Sequence, residues 1–152
     1  MKTLVIGYGN TLRCDDGVGI HVAQEIEKEG FDGVEVRTCQ QLHMDLVSEF
    51  GDYDRIILAD ASVDGEEVEM RKIRPTSQNF MASSHHLGPE LLLRLSEITH
   101  FGEPELYLCM VRGRCFDYGD QLSEEAKGRA RSAIGQIKNL IAEGGVTVDA
   151  RS

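Results

Sequence analysis

The sequence predicts an α/β domain: an open, twisted, mostly parallel sheet with helices on both faces and one antiparallel strand. Three observations predict it. Apolar runs of strand length alternate along the chain with longer stretches of helical period. Most successive strands are separated by enough residues for a helical crossover, which makes their pairing parallel. The run at 67–75 follows its predecessor too closely for such a crossover and is therefore read as antiparallel.

The elements follow in order. KTLVIG (2–7) reads as a buried strand. GVGIHVAQEIEKE (17–29) places Val18, Val22 and Ile26 four residues apart, a helical stripe, with Asp15 or Asp16 as its cap. GVEVRTC (33–39) alternates as a half-exposed strand, and LHMDLVSEF (42–50) is expected to be a helix. RIILAD (55–60) is an apolar strand ending in an acid, and the VDG turn (63–65) precedes the alternating strand EVEMRKIRP (67–75). A loop covers 76–86. GPELLLRLSEI (88–98) then gives a helix with Pro89 in its first turn. ELYLCMVRG (105–113) is a strand, CFDYGDQLS (115–123) a loop, and 123–144 a long helix whose start is capped near Ser123. Residues 1–146 are expected to form a single domain and 147–152 a tail.

The formal net charge of −10 opposes nucleic acid or an anionic membrane as a principal partner, since both select basic faces. No apolar run approaches the roughly 18 residues of a membrane span. The N-terminus lacks the basic and extended apolar regions of a secretory signal, so a cytoplasmic location is expected. Cys14, Cys39, Cys109 and Cys115 form no CxxC pair and are read as reduced thiols.

In sheets of this kind, ligands bind outside the carboxyl ends of the strands, where the strand order switches direction. The first strand ends in GYGN and leads to Asp15 and Asp16; the third ends at Asp60. A strand order beginning 2-1-3 would bring these acids to one edge, and the SSHH loop (83–86) would enter the following helix at the same edge. Carboxylate oxygens with an imidazole suit a divalent metal such as nickel, zinc or cobalt. The glycines of GYGNTLRCDDGVG (7–19) do not complete a dinucleotide fingerprint, because Leu12 stands where the third glycine belongs. His21, His43 and His100 fall on helices or helix ends and are read as non-functional, and Arg13 is a weak candidate for contacting substrate carboxylates.

GYGNTLRCDDGVG, QQLHMDL (40–46), ILADA (57–61), SSHHLGPELLLRL (83–95), FGEPELYLCMVRG (101–113) and FDYGDQLS (116–123) together resemble the hydrogenase maturation endopeptidases. The resemblance spans about residues 3–142. It implies a protease that trims the C-terminus of the large-subunit precursor of a nickel–iron hydrogenase, using nickel already carried by that substrate as its recognition handle; other divalent metals are expected to substitute in vitro. It also implies that Asp16, Asp60 and His85 are the metal-contacting and catalytic positions, with His85 taking the first histidine position of its motif. Many relatives carry glutamate where Asp16 stands, which shortens the reach here by one methylene. A monomer is the default for a chain that must reach another protein's metal site. The alternatives weighed are a nonenzymatic nickel-handling module, a nucleotide-binding α/β domain, and a metal-independent amide or ester hydrolase.

Overall fold

The structure is a computed structural model, and it describes residues 1–74 and 88–146, with the side chains of 144–146 excepted. The strands are β1 (Thr3–Tyr8), β2 (Val34–Cys39), β3 (Arg55–Ser62), β4 (Val68–Ile73) and β5 (Glu105–Arg112). The α-helices are α1 (Val18–Glu29), α2 (Pro89–Thr99) and α3 (Glu124–Val146). The strands build one five-stranded sheet in the order β2-β1-β3-β5-β4. The β1–β2, β1–β3 and β3–β5 pairs are parallel, and β4 runs antiparallel to β5. The expected fold class is therefore the one observed, including the lone antiparallel strand.

The helix expected at 42–50 is of the 3-10 kind and runs over Met44–Asp52. Its buried residues are Val47 and Phe50, three positions apart. That spacing puts both side chains on the face of the 3-10 helix turned to the sheet. The expected tail, 147–152, lies outside the described residues, as does the loop at 76–86.

Two apolar layers flank the sheet. On one side, Leu4, Ile6 and Leu58 meet Phe50 of the 3-10 helix and Leu92 of α2. On the other, Val5 and Ile57 meet α1 and α3, where Ala126, Ala130, Ala133 and Ile137 make one face of α3. Small side chains at that four-three-four spacing let α3 lie close to the sheet.

The glycines of the opening motif serve this closeness. A Cβ on Gly19 would lie 2.3 Å from the Ala59 carbonyl oxygen, and one on Gly7 would lie 2.2 Å from the Gly19 carbonyl oxygen. The first turn of α1 thus rests backbone to backbone on β1 and β3. Gly19→Ala is expected to cost about 1–3 kcal/mol by overpacking, a fall in Tm of roughly 2–12 °C for a domain of this size. Gly135→Ala is the control: it sits in α3 with nothing within 4 Å of the added Cβ, and thermal melting should show an unchanged or higher Tm.

Candidate active site

The β1–β3 register aligns Gly7 with Ala59, so Tyr8, the last residue of β1, lies beside Asp60 near the carboxyl end of β3. Cys39 is the register partner of Tyr8 on β2, and Met110 the partner of Asp60 on β5. Parallel strands in register point paired side chains to the same face. Cys39, Tyr8, Asp60 and Met110 therefore form a row across the sheet, and the flanking three pack against the layer that holds α2. α2 enters at this edge: the charge of Glu90, its second residue, is felt at the Tyr8 hydroxyl.

Asp16 reaches the row from the loop after β1. It lies in a 3-10 turn, Cys14–Gly17, that leads into α1, and its Oδ2 accepts the Asn10 N–H at 2.7 Å. Gly9 makes this possible. Its φ of +145° is open to glycine, and a Cβ there would lie 2.0 Å from the Asp16 carbonyl oxygen.

Asp60 is the electrostatic centre of the site. Burial pushes its carboxyl up to about 6, and the nearby negative charge of Asp16 adds to the rise. The Ala61 N–H, donated to Oδ1 at 2.8 Å, and the Tyr8 hydroxyl both favour the carboxylate and limit the rise. Burial and the Asp60 carboxylate in turn push the Tyr8 phenol well above its ordinary value, so Tyr8 remains a donor. Two carboxylates sharing a partly dehydrated edge are a good fit for a cation, which would relieve both the repulsion and the desolvation.

The expected site is thus brought together in part. Asp16 and Asp60 converge at the predicted edge. His85 and His86 lie outside the described residues, and among the described residues no three His, Cys, Asp or Glu side chains form a metal-binding group.

The expectation that Asp15 or Asp16 caps α1 is corrected. The cap position is Gly17, with no side-chain hydrogen bond. Asp15 turns inward, fully buried, and accepts four hydrogen bonds: from the backbone N–H groups of Arg114 (2.7 Å), Cys115 (3.0 Å) and Ser123 (2.7 Å), and from the Ser123 hydroxyl (2.7 Å). Burial alone would raise its pKa, but those donors outweigh it and hold the carboxyl below its ordinary value. Ser123 also accepts the Ala126 N–H at 3.1 Å, which makes it the expected cap of α3. Asp15 therefore ties the loop before α3 to the loop that carries Asp16.

Sequence reasoning overlooked two contributors. Tyr8 was visible as the aromatic between the two glycines of GYGN, beside the acid-bearing strand. The link from Asp15 to Ser123 spans more than a hundred residues and left no local signal. Cys14, at φ +46°, meets the Cys115 thiol, and that contact, with burial and neighbouring acids, raises its pKa. A thiol so held is a poor nucleophile near neutrality.

No family model matches the chain. A curated relative, the hydrogenase 2 maturation protease of Escherichia coli (strain K12), is 25% identical over 154 residues, covering 96% of this chain and 94% of the relative. The chain resembles the hydrogenase maturation endopeptidases. The solved structure of the hydrogenase maturating endopeptidase HybD from E. coli superposes with a TM-score of 0.76 at 20% identity, over 95% of this chain and 94% of that one. A hydrogenase 2 maturation peptidase from Thaumarchaeota archaeon SCGC_AB-539-E09 gives 0.70 at 24% identity, covering 93% and 98%. The hydrogenase maturation protease HycI from Thermococcus kodakarensis KOD1 gives 0.72 at 21%, covering 93% of each chain. The likeness read from the motifs thus extends to the fold over nearly the whole chain.

The two aspartates predict opposite stability behaviour. Asp15, with its lowered pKa, contributes stability that is present above the unfolded value near 3.9 and lost as pH falls through the folded one. Asp15→Asn is expected to cost about 2–4 kcal/mol near neutrality, because an amide turns a donor toward converging N–H groups. Asp60, with its raised pKa, disfavours the folded state above about pH 6 and ceases to do so below about pH 4, a difference of up to about 3 kcal/mol. Asp60→Asn should therefore raise Tm near pH 8 and leave it unchanged near pH 4. Thermal melts of both variants across that range test the assignment; a Tm gain for Asp60→Asn that does not vary with pH would contradict it.

Proposed function

We propose that this chain is an endopeptidase that removes a C-terminal peptide from the nickel-loaded precursor of a nickel–iron hydrogenase large subunit. In this reading Asp16, Asp60 and His85 contact the nickel carried by the substrate. The observation that carries it is the convergence of Asp16 and Asp60 at one sheet edge, with the Asp60 carboxyl raised toward neutrality. The likeness in sequence and fold to maturation endopeptidases supports the reaction class.

The residues divide the work. The two carboxylates supply hard oxygen donors to a metal that arrives with the substrate, and His85 would add a borderline nitrogen. Such a metal can polarise the scissile carbonyl or activate water. Asp60 suits proton transfer as well: a carboxyl titrating near 6 is a better base at neutral pH than one near 4. Tyr8 and the Ala61 N–H orient it. Under a second version, nickel serves only as a template and Asp60 alone acts as general base; the raised pKa of Asp60 favours that version. Cys39 and Cys109 offer no rival nucleophile, because burial raises the first and pushes the second up to about 12.

The enzyme would act as a cytoplasmic monomer on a protein substrate. Among the described residues no helix is long and apolar enough to cross a membrane.

Cleavage of the cognate nickel-loaded precursor, read by intact mass, tests the assignment. Asp16→Ala, Asp60→Ala and His85→Ala are each expected to slow peptide release by roughly 10²–10⁴-fold while circular dichroism reports an intact fold. His86→Ala should retain activity. A fully active triple variant would remove the site from the reaction. A wild-type protein that binds the precursor without cutting it would be a nickel-handling module instead.

A further inference from the structure

We propose that Leu12, Arg13 and Tyr118 form a docking patch that receives the large-subunit precursor beside the cleavage site; this assignment rests on the protease reading above. Leu12 is 65% exposed and Tyr118 88% exposed, the latter the most exposed large hydrophobic side chain among the described residues. They are distant in sequence but adjacent in space. A parallel bridge pairs Arg13 with Gly119, which sets Leu12 next to Tyr118. The Gly119 N–H donates to the Leu12 carbonyl at 2.9 Å, and the Cys14 N–H donates to the Gly119 carbonyl at 2.8 Å.

This is a braced surface. The Arg13 guanidinium stands 5.6 Å from the centre of the Tyr118 ring, and its Nε donates to the Phe116 carbonyl at 3.1 Å. Directly beneath, Asp15 holds Arg114, Cys115 and Ser123, so both loops share one buried anchor. Large side chains fixed before binding lose little conformational entropy on association. Exposed apolar groups held in place, with a tyrosine and an arginine, have the composition of an interface hot spot.

The position selects the occupant. Asp16 follows Arg13 by three residues, and its N–H donates to the Arg13 carbonyl at 3.0 Å, which sets the patch beside the carboxylate that the substrate's metal is proposed to meet. Side chains this exposed suit a protein surface over a small molecule, which is bound by burying most of it. Arg13 makes no ion pair among the described residues. The matching surface on the precursor would offer an apolar recess for Leu12 and Tyr118, with a carboxylate at its rim for Arg13.

Steady-state cleavage of the nickel-loaded precursor by wild type, Leu12→Asp, Tyr118→Ala and Tyr118→Phe, with Tm measured for each, tests the patch. Leu12→Asp and Tyr118→Ala are expected to raise KM about 10- to 100-fold with kcat within about twofold. Tyr118→Phe, which keeps the ring, should stay near wild type, and all three should melt as wild type does. Unchanged KM in the first two variants, or a loss confined to kcat, would overturn the patch while leaving the protease intact. A wild-type protein that neither binds nor cuts the precursor would overturn the protease reading and the patch with it.

Discussion

The site depends first on one buried carboxylate. Asp15 has no exposed surface, yet it accepts four hydrogen bonds from the segment that precedes α3. A buried charge is tolerated only where donors replace the water it has lost. Those donors come from a part of the chain about a hundred residues away, so satisfying Asp15 requires the two loops to close on each other. That closure fixes Asp16, the next residue, against the end of β1. It also aligns Leu12 with Tyr118 and brings Cys14 to Cys115. Neighbouring aspartates thus have opposite duties: one is saturated by the protein, and the other is left with a single backbone donor among the described residues.

The sheet supplies the rest. Placing β1 between β2 and β3 makes the carboxyl ends of β1 and β3 adjacent at the reversal of strand order. Gly7 and Gly19 let α1 approach until its backbone touches both strands, which shortens the path from the motif loop to Asp60. Asp60 is then partly buried and faces another acid, an arrangement that costs stability in the absence of a counter-charge. A cation delivered by a substrate would remove that cost at the moment of binding. This exchange of resting stability for function is common where a protein prepares a charged site.

Much of this was legible in the sequence. The alternation of strand-length and helix-length segments revealed the class, and the short connection between the third and fourth strands revealed the one antiparallel strand. Asp16 and Asp60 could be paired because strand ends at a topological switch are set by order alone. Two features were not legible. The 3-10 form of Met44–Asp52 left no signal, because residues three apart, such as Val47 and Phe50, share a face in either kind of helix. The inward turn of Asp15 follows from donors remote in sequence, whereas a local reading sees only two acids before a helix and assigns a cap.

The central claim is that metal carried by the precursor meets Asp16 and Asp60 at this edge and that a peptide bond is then cut. Intact-mass measurement of the cognate precursor after incubation with the wild-type protein, in nickel-loaded and nickel-free forms, tests it most directly. The account predicts loss of a C-terminal peptide from the loaded form alone. Equal cleavage of both forms would contradict the role assigned to the metal, and no cleavage of either, despite a stable complex, would contradict the assignment as a protease.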